Sequence, residues 1–485
     1  MTVRPLLPVA AAALAVSAAA IASGPSIDIV AFGGQIPPGG DGSAITSLNA
    51  PFTNSLGQPG FTGVLASGDR FVWVDSGIVW LNADGPLAYS IELTGTEATM
   101  GISDAGGFIY SPNADGEDSV FTHQGLLKRG TDEAPGLPGL FLTFNSRPTM
   151  KPDGTAWWIA GYSLTKGGNT AGRVLYVCTD LDDPKNSTTP ILVSFEEIEG
   201  FQIGTTGIGF GYDVSDDSSQ RIVQLTMQGV PTNSNSFVYV GDASGGSLAL
   251  RQGNIVSEDD GTTWNAFRSP SINNAGDWVI AGNTSGGPSA NSEFLAVNGA
   301  IAMRRGDTID GVTLLSNWAI RAASINNLGQ VAYIWEGGSG ASVTGALFVG
   351  DSADLAGTSV VIAQIGQDFD STGDGMVDVT LTDFNASAVV SPGLDFSDHP
   401  WIHAEVKLRD IATQLVYDAI VRFPIKCDGG NPDLNGDGTV DGADLGILLN
   451  AWGSDDAASD LNGDGVVDGA DLGILLNAWG TAGGC

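Results

Sequence analysis

The chain has 485 residues, with 19 lysines and arginines against 55 acidic residues, for a net charge of −36. So acidic a balance repels phosphate backbones and anionic lipids, which excludes nucleic acid and anionic membranes as partners. Its 69 glycines, with only 15% charged residues, point to many turns between buried strands rather than to disorder, and the length suffices for two or three domains.

The first 24 residues read as an export signal. Arg4 precedes an apolar run from Leu6 to Ile21, and the small residues Ala22, Ser23 and Gly24 offer a cleavage site. The run is short and alanine-rich, so a signal peptide is expected over 1–24 in preference to a membrane anchor. No later segment holds 18 uninterrupted apolar residues, so the mature protein is expected to be secreted or held at the cell surface.

Between residues 50 and 408 a short phrase recurs: an apolar residue, a polar one, Asn or Asp, any residue, Gly, then alternating apolar residues. The clear copies begin at Ile272-Asn273-Asn274-Ala275-Gly276 and Ile325-Asn326-Asn327-Leu328-Gly329. Ile102 to Gly106 and Met150 to Gly154 are good copies, whereas those at Asn54, Val214 and Phe396 are weaker. Each phrase is a turn opening onto a strand of period two. The turns fall at 57, 106, 154, 218, 276, 329 and 400, with spacings of 49, 48, 64, 58, 53 and 71 residues. Units of that size, with three or four strands each, predict a mainly β fold in which residues 26–426 form a β-propeller. Seven blades is the count, and six or eight are compatible with the three weaker copies. The seventh unit lacks its last strand, and Ile27 to Gly34 resembles that missing piece. A strand from one terminus completing the blade at the other would remove the open edge.

Chemistry is sparse in this region. His399 and His403 have metal-like spacing, but the Pro400-Trp401-Ile402 between them reads as strand. The acid pairs Asp182-Asp183 and Glu196-Glu197-Glu199 could serve a glycosidase, although loop acids are common at this composition. Trp157, Trp158, Trp264, Trp278 and Trp335 could stack on sugars, but in strands such rings more often fill a blade core. Asp370 to Asp378 looks like a calcium loop, yet Leu381 stands at its twelfth position and no helical stripe follows, so a polar loop is expected. Cys178, in an apolar strand pattern, is expected to be a buried free thiol.

The last segment, 427–485, holds one phrase twice. Asp433 to Gly453 and Asp460 to Gly480 differ only at Thr439 against Val466. Oxygen ligands fall at loop positions 1, 3, 5, 7, 9 and 12: Asp433, Asn435, Asp437, Thr439 through its carbonyl, Asp441 and Asp444. The second set is Asp460, Asn462, Asp464, Val466 through its carbonyl, Asp468 and Asp471. Glycine at position six and hard oxygen donors in a flexible loop are the EF-hand schedule, so two calcium ions are expected. A single helix follows each loop. Leu445, Leu448, Leu449 and Trp452 make one apolar stripe, and Leu472, Leu475, Leu476 and Trp479 make its copy. Cys427 and Cys485 bracket the segment, so either a disulfide joins its ends or Cys485 is a point of chemical attachment.

These paired DxNxDGxVxxxDLxxLL repeats resemble the type I dockerin domain, including variants that end in Gly-Cys. The resemblance implies a small all-α module that folds around calcium and docks on a cohesin-like or other envelope protein. Dockerins commonly carry hydroxyl or larger side chains at loop positions 10 and 11, where this chain has Gly442-Ala443 and Gly469-Ala470. The turn phrase of the body is similar to that of exported bacterial NxxGxxxF tandem-repeat proteins. The expected function is an exported binding or structural propeller attached to a cell surface or scaffold through its C-terminal module. The alternative is a dockerin-borne glycoside hydrolase-like enzyme of polysaccharide breakdown, with carbohydrate as the ligand.

Overall fold

The computed structural model describes residues 25–82, 91–92, 99–256, 261–288, 291–338, 342–384 and 394–425, and 432, 434–435, 440–454, 456, 458–461 and 465–479 in the C-terminal segment. The expected export signal, Cys427 and Cys485 lie outside these residues, as do the ligands Asp433, Asp437, Thr439, Asn462 and Asp464. Of the described residues 52% are strand and 8% helix, arranged as a seven-bladed β-propeller with a short helical C-terminal region.

Each blade is an antiparallel sheet in which successive strands run outward from the axis. The fifth is the simplest, with Thr263–Ile272 innermost, then Trp278–Ser285, Glu293–Val297 and Ala300–Arg304. The sixth repeats the order with Ala319–Ile325, Gln330–Gly337, Thr344–Asp351 and Val360–Gln364. Apolar residues on both faces of the middle strands pack against neighbouring blades. The propeller core is accordingly seven separate clusters, one at every inter-blade interface. The aromatic residues in question belong to it: Trp157, Trp158, Trp264, Trp278 and Trp335 are all buried, as is the free thiol of Cys178.

The recurring phrase is the turn between the innermost strand and the next. In the fifth blade the Gly276 N–H donates to the Asn273 carbonyl at 3.1 Å and the Asn273 N–H to the Asp277 carbonyl at 3.0 Å. The sixth blade makes the same pair of bonds at Asn326, Gly329 and Gln330. The turn needs a left-handed residue at its fourth position, where Gly276 has φ +85° and Gly329 +80°. The fourth blade meets that need with Ser218 at φ +58°, which is why its copy of the phrase is faint.

The ring closes as the sequence suggests. Asp28–Phe32 pairs antiparallel with Val416–Pro424 and supplies the outermost strand of the seventh blade, with Asp28 opposite Arg422 and Phe32 opposite Ala419. The chain then passes into the first blade, where the Gly34 N–H donates to the Ile45 carbonyl at 2.8 Å.

Candidate functional site

The innermost strands surround an axial cavity of about 330 Å³ to which all seven blades contribute. An innermost strand has one unpaired edge, so its N–H groups need partners from elsewhere. Two tiers of side chains link the blades there, and the upper one provides such partners. In the lower tier Asn54, Asn273 and Asn326 accept from N–H groups of their own turns (Gln58, Asp277 and Gln330) at 2.9, 2.9 and 2.8 Å. Their amide groups donate to the next blade, at the carbonyls of Ser103, Asn326 and Ser397, at 3.2, 3.1 and 3.2 Å. The belt closes where His399 Nε2 donates to the Ser55 carbonyl at 3.0 Å, and a methyl group on Gly57 would meet that ring at 2.6 Å. The asparagine of the repeated phrase is therefore an inter-blade bond as much as a turn former.

The upper tier lies two residues earlier in the innermost strands. Asp213 Oδ2 accepts from the Ile272 N–H at 3.0 Å, Ser271 Oγ from Ile325 at 3.2 Å, and Asp395 Oδ2 from Thr53 at 2.6 Å. Their other carboxylate oxygens accept from Val214 and Phe396, at 2.8 and 2.9 Å. Asp213 and Asp395, three blades apart, are thus each committed to main chain through both oxygens.

At the belt position the copies carry asparagine (Asn54, Asn273, Asn326) or serine (Ser103, Ser215, Ser397), except in the third blade, where Lys151 brings a charge. Lys151 Nζ stands 3.6 Å from Asp213 Oδ1 and 3.8 Å from Asp216 Oδ1. Burial alone would push the ammonium down, but Asp213, Asp216 and Asp395 outweigh it and hold Lys151 above the ordinary lysine value. Asp216 also accepts from Asn327 Nδ2 at 3.0 Å, joining the third, fourth and sixth blades at the channel floor. Desolvation raises Asp395 to about 7, against the opposing effects of the Thr53 N–H and Lys151. His403 behind it is neutral, lowered to about 3 by burial and by Arg422, whose Nε donates to His403 Nε2 at 3.1 Å. His403 Nδ1 therefore carries the proton and donates to Thr53 Oγ1 at 3.3 Å. His399 and His403 turn to separate partners and do not form a metal pair.

The raised carboxyl gives the propeller a pH dependence. An unfolded aspartate titrates near 3.9, so between there and about 7 the folded state holds a proton that the unfolded state has lost. Asp395 stability is fully present below about pH 4 and is lost as pH rises through about 7. Denaturant titrations with calcium saturating should show the propeller weakening from pH 6 to 8, by up to about 1 kcal/mol per pH unit. Asp395→Asn should flatten that slope while lowering stability throughout, because one amide oxygen cannot accept on both sides. A slope unchanged in the variant would remove Asp395 as its source.

The other predicted sites of the body are structural or on the surface. Asp182, Asp183, Glu196, Glu197 and Glu199 are exposed. Asp370 folds its own loop, accepting from the N–H groups of Gly373 and Gly375, both at 2.7 Å. Among the described residues no three acidic or imidazole side chains converge as a metal shell, and no helix is long and apolar enough to cross a membrane.

The C-terminal segment builds its two helices over Gly442–Asn450 and Gly469–Asn477. Each starts on a capping box. Asp441 accepts from its own first turn while Asp444 Oδ2 accepts from the Asp441 N–H at 2.8 Å, and Asp468 and Asp471 repeat this with a bond of 2.6 Å. Asp444 Oδ1 also accepts from the Asn435 N–H at 3.0 Å, and the Gly465 N–H donates to Asp460 Oδ2 at 2.7 Å, tying loop positions 12 to 3 and 6 to 1. Asp444 and Asp471 are 0% exposed, and residues 427–485 contain no lysine, arginine or histidine. Buried carboxylates in a module without a basic residue fit a bound cation, and the all-oxygen donor set fits calcium.

The stripes do not all face inward. Leu448 and Leu475 are buried with Val440, Leu461 and Val467, whereas Leu449, Trp452, Leu476 and Trp479 are 51, 47, 51 and 45% exposed. A helix of nine residues can bury only one narrow face against one partner, so Leu445 and Leu472 pack at the edge of that core while Leu449, Trp452, Leu476 and Trp479 stand outward at matching positions of the two copies.

Residues 431–478 match the dockerin type I domain family. The chain is a seven-bladed propeller that carries a type I dockerin, a family that binds calcium and engages cohesin-type partners. No curated protein matches it at a significant level. Among solved structures it is similar to the β-propeller domain of the trilobed protease from Pyrococcus furiosus, at 12% identity and TM-score 0.40 over 77% of this chain and 94% of that one. It is also similar to puromycin hydrolase, at 13% and 0.43 over 81% and 56% of the two chains. A third likeness is the α-L-arabinofuranosidase Arb93A from Fusarium graminearum, at 8% and 0.33 over 68% and 96%.

Proposed function

We propose that this protein is an exported binding propeller, held at a cell surface or scaffold by its calcium-dependent dockerin. In this reading residues 1–24 direct export, 26–426 are the propeller and 427–485 the docking module. Two calcium ions sit on the sets led by Asp433 and Asp460, and Cys427 and Cys485 either close the module or tether it. The carrying observation is the pair of outward apolar sites, Leu449 with Trp452 and Leu476 with Trp479, at the C-terminal ends of helices that begin at loop acids. Exposed aromatic and aliphatic groups repeated on one small module suit a protein partner. Gly442-Ala443 and Gly469-Ala470 leave these as the larger contact groups, so the partner is a cohesin-like or other envelope protein with its own apolar sites.

The enzyme alternative draws little from the channel, since Asp213 and Asp395 are both occupied with main-chain N–H groups. The test is retention of the full-length protein on native envelope in calcium and in chelator. Retention should fall at least about tenfold in chelator, and likewise for Trp452→Ser with Trp479→Ser in calcium, since hot-spot aromatic residues are worth about 2 kcal/mol or more. Retention indifferent to both would overturn attachment through this module.

A further inference from the structure

We propose that the axial channel binds one small neutral polyhydroxylated molecule, of about monosaccharide size, between the blade-four wall and the seventh blade. This names a ligand for the binding propeller and rests on that reading. At about 330 Å³ the cavity is at the small end of ligand sites, with room for one compact molecule.

Its lining mixes donors and acceptors at every side. Arg147, Arg268 and Gln224 carry N–H donors, while the hydroxyls of Thr53, Ser269, Ser271 and Ser397 can both donate and accept. The charges are largely matched within the wall, Lys151 by Asp213 and Asp216, and Arg268 by Glu293. A charged ligand would meet a like charge as soon as an opposite one. A hydroxyl both donates and accepts, so a polyol can satisfy this lining without adding charge.

Two polar atoms belonging to lining residues are left over. Gln224 Nε2 and Ser397 Oγ are buried with no hydrogen-bond partner, and Ser397 is only 7% exposed. Buried polar groups in folded proteins nearly always find partners, so each calls for one. A change of rotamer is enough to turn a serine hydroxyl toward the lumen.

The main chain around Gln224 is also shaped for access. The innermost strand of the fourth blade, Phe201–Val214, has glycine at 204, 207, 209 and 211, and slips register between Ile208 and Tyr212. A methyl group on Gly211 would lie 2.3 Å from Gln224 Oε1, so glycine there is what lets the amide of the second strand reach the channel. On either side the third and fifth blades bulge at Arg147-Pro148 and Ser269-Pro270, where Arg147 and Ser269 take φ of +54° and +49°. Non-glycine residues in that region are strained and cluster at ligand sites. Three consecutive blades thus depart from regular strand at one level of one cavity.

Calorimetry on the full-length protein with glucose, galactose, xylose and arabinose tests this, with glucuronate and glucosamine as charged counterparts. At least one neutral sugar should bind saturably. Ser397→Ala and Gln224→Met should each weaken it about tenfold, the scale of one hydrogen bond. Ser397→Ala removes a hydroxyl that has no partner in the fold, so its melting should match the parent, and it decides the matter if Gln224→Met fails to fold. Three results would overturn the inference: no neutral sugar binds, only the charged sugars bind, or Ser397→Ala binds as the parent does. A protein that stays calcium-dependently attached but is inert to sugars loses this inference alone.

Discussion

Adding a calcium chelator to the full-length protein should melt the C-terminal helices and leave the propeller folded. The module holds 11 aspartates and no basic residue. Its five fully buried apolar residues, Val440, Leu448, Leu461, Val467 and Leu475, are a small core for two nine-residue helices. Isolated helices of that length are marginal in water, and crowded carboxylates repel one another when no cation lies among them. A ligand that binds only the folded form adds its binding free energy to stability, about 4 kcal/mol per site at a thousandfold excess over Kd. Hydrogen exchange should therefore show Gly442–Asn450 and Gly469–Asn477 protected in calcium and open in chelator, with propeller strands protected in both. Calorimetry should count two sites. Asp433→Ala with Asp444→Ala should remove one and leave that of Asp460 and Asp471. Protection of both helices in excess chelator would mean that the apolar core suffices without metal.

What the sequence could reveal followed from how strictly each position is constrained. The turn phrase is visible because two independent demands fall on it: a left-handed fourth residue, and an amide that both closes its turn and reaches the next blade. Where another residue meets one demand, as Ser218 does at φ +58°, the pattern fades. The channel was not legible. Its residues are single polar positions in otherwise apolar strands, and only the ring places Asp213, Gln224 and Asp395 around one cavity. Lys151 could have been noticed, since it stands where other copies carry asparagine or serine, but its meaning needs Asp213 and Asp216 from the next blade. In the dockerin, helical spacing grouped Leu449 and Trp452 with Leu448, whereas the fold buries Leu448 and leaves the other two outward. Periodicity marks a wide apolar arc, and how much of it is covered depends on what packs there.

Deleting Ser26 to Gly34 should turn a monomeric propeller into an aggregating one. Asp28–Phe32 is the outermost strand of the last blade, so its removal bares the edge of Val416–Pro424 with its unpaired N–H and C=O groups. That edge is already apolar at its start, where Leu415 and Val416 are 67 and 56% exposed. The strand also serves two interfaces at once. Ile27 is buried in the cluster between the sixth and seventh blades, and Ala31 in the cluster between the seventh and first. Ile27 and Asp370 are joined by an N–H to carbonyl bond of 3.0 Å, so the loss reaches the inner part of the same blade. Burial of one isoleucine, with a handful of main-chain bonds, amounts to about 3–6 kcal/mol, a large fraction of typical domain stability. A second variant, Ile27→Asp with Ala31→Asp, keeps the strand's length but puts a charge in each cluster, and should fail in the same direction. Light scattering and denaturant titration give the measure. A deletion variant that stays monomeric with an unchanged midpoint would show that the ring is held shut by the asparagine belt and the His399 contact with Ser55, with the terminal strand only resting on its rim.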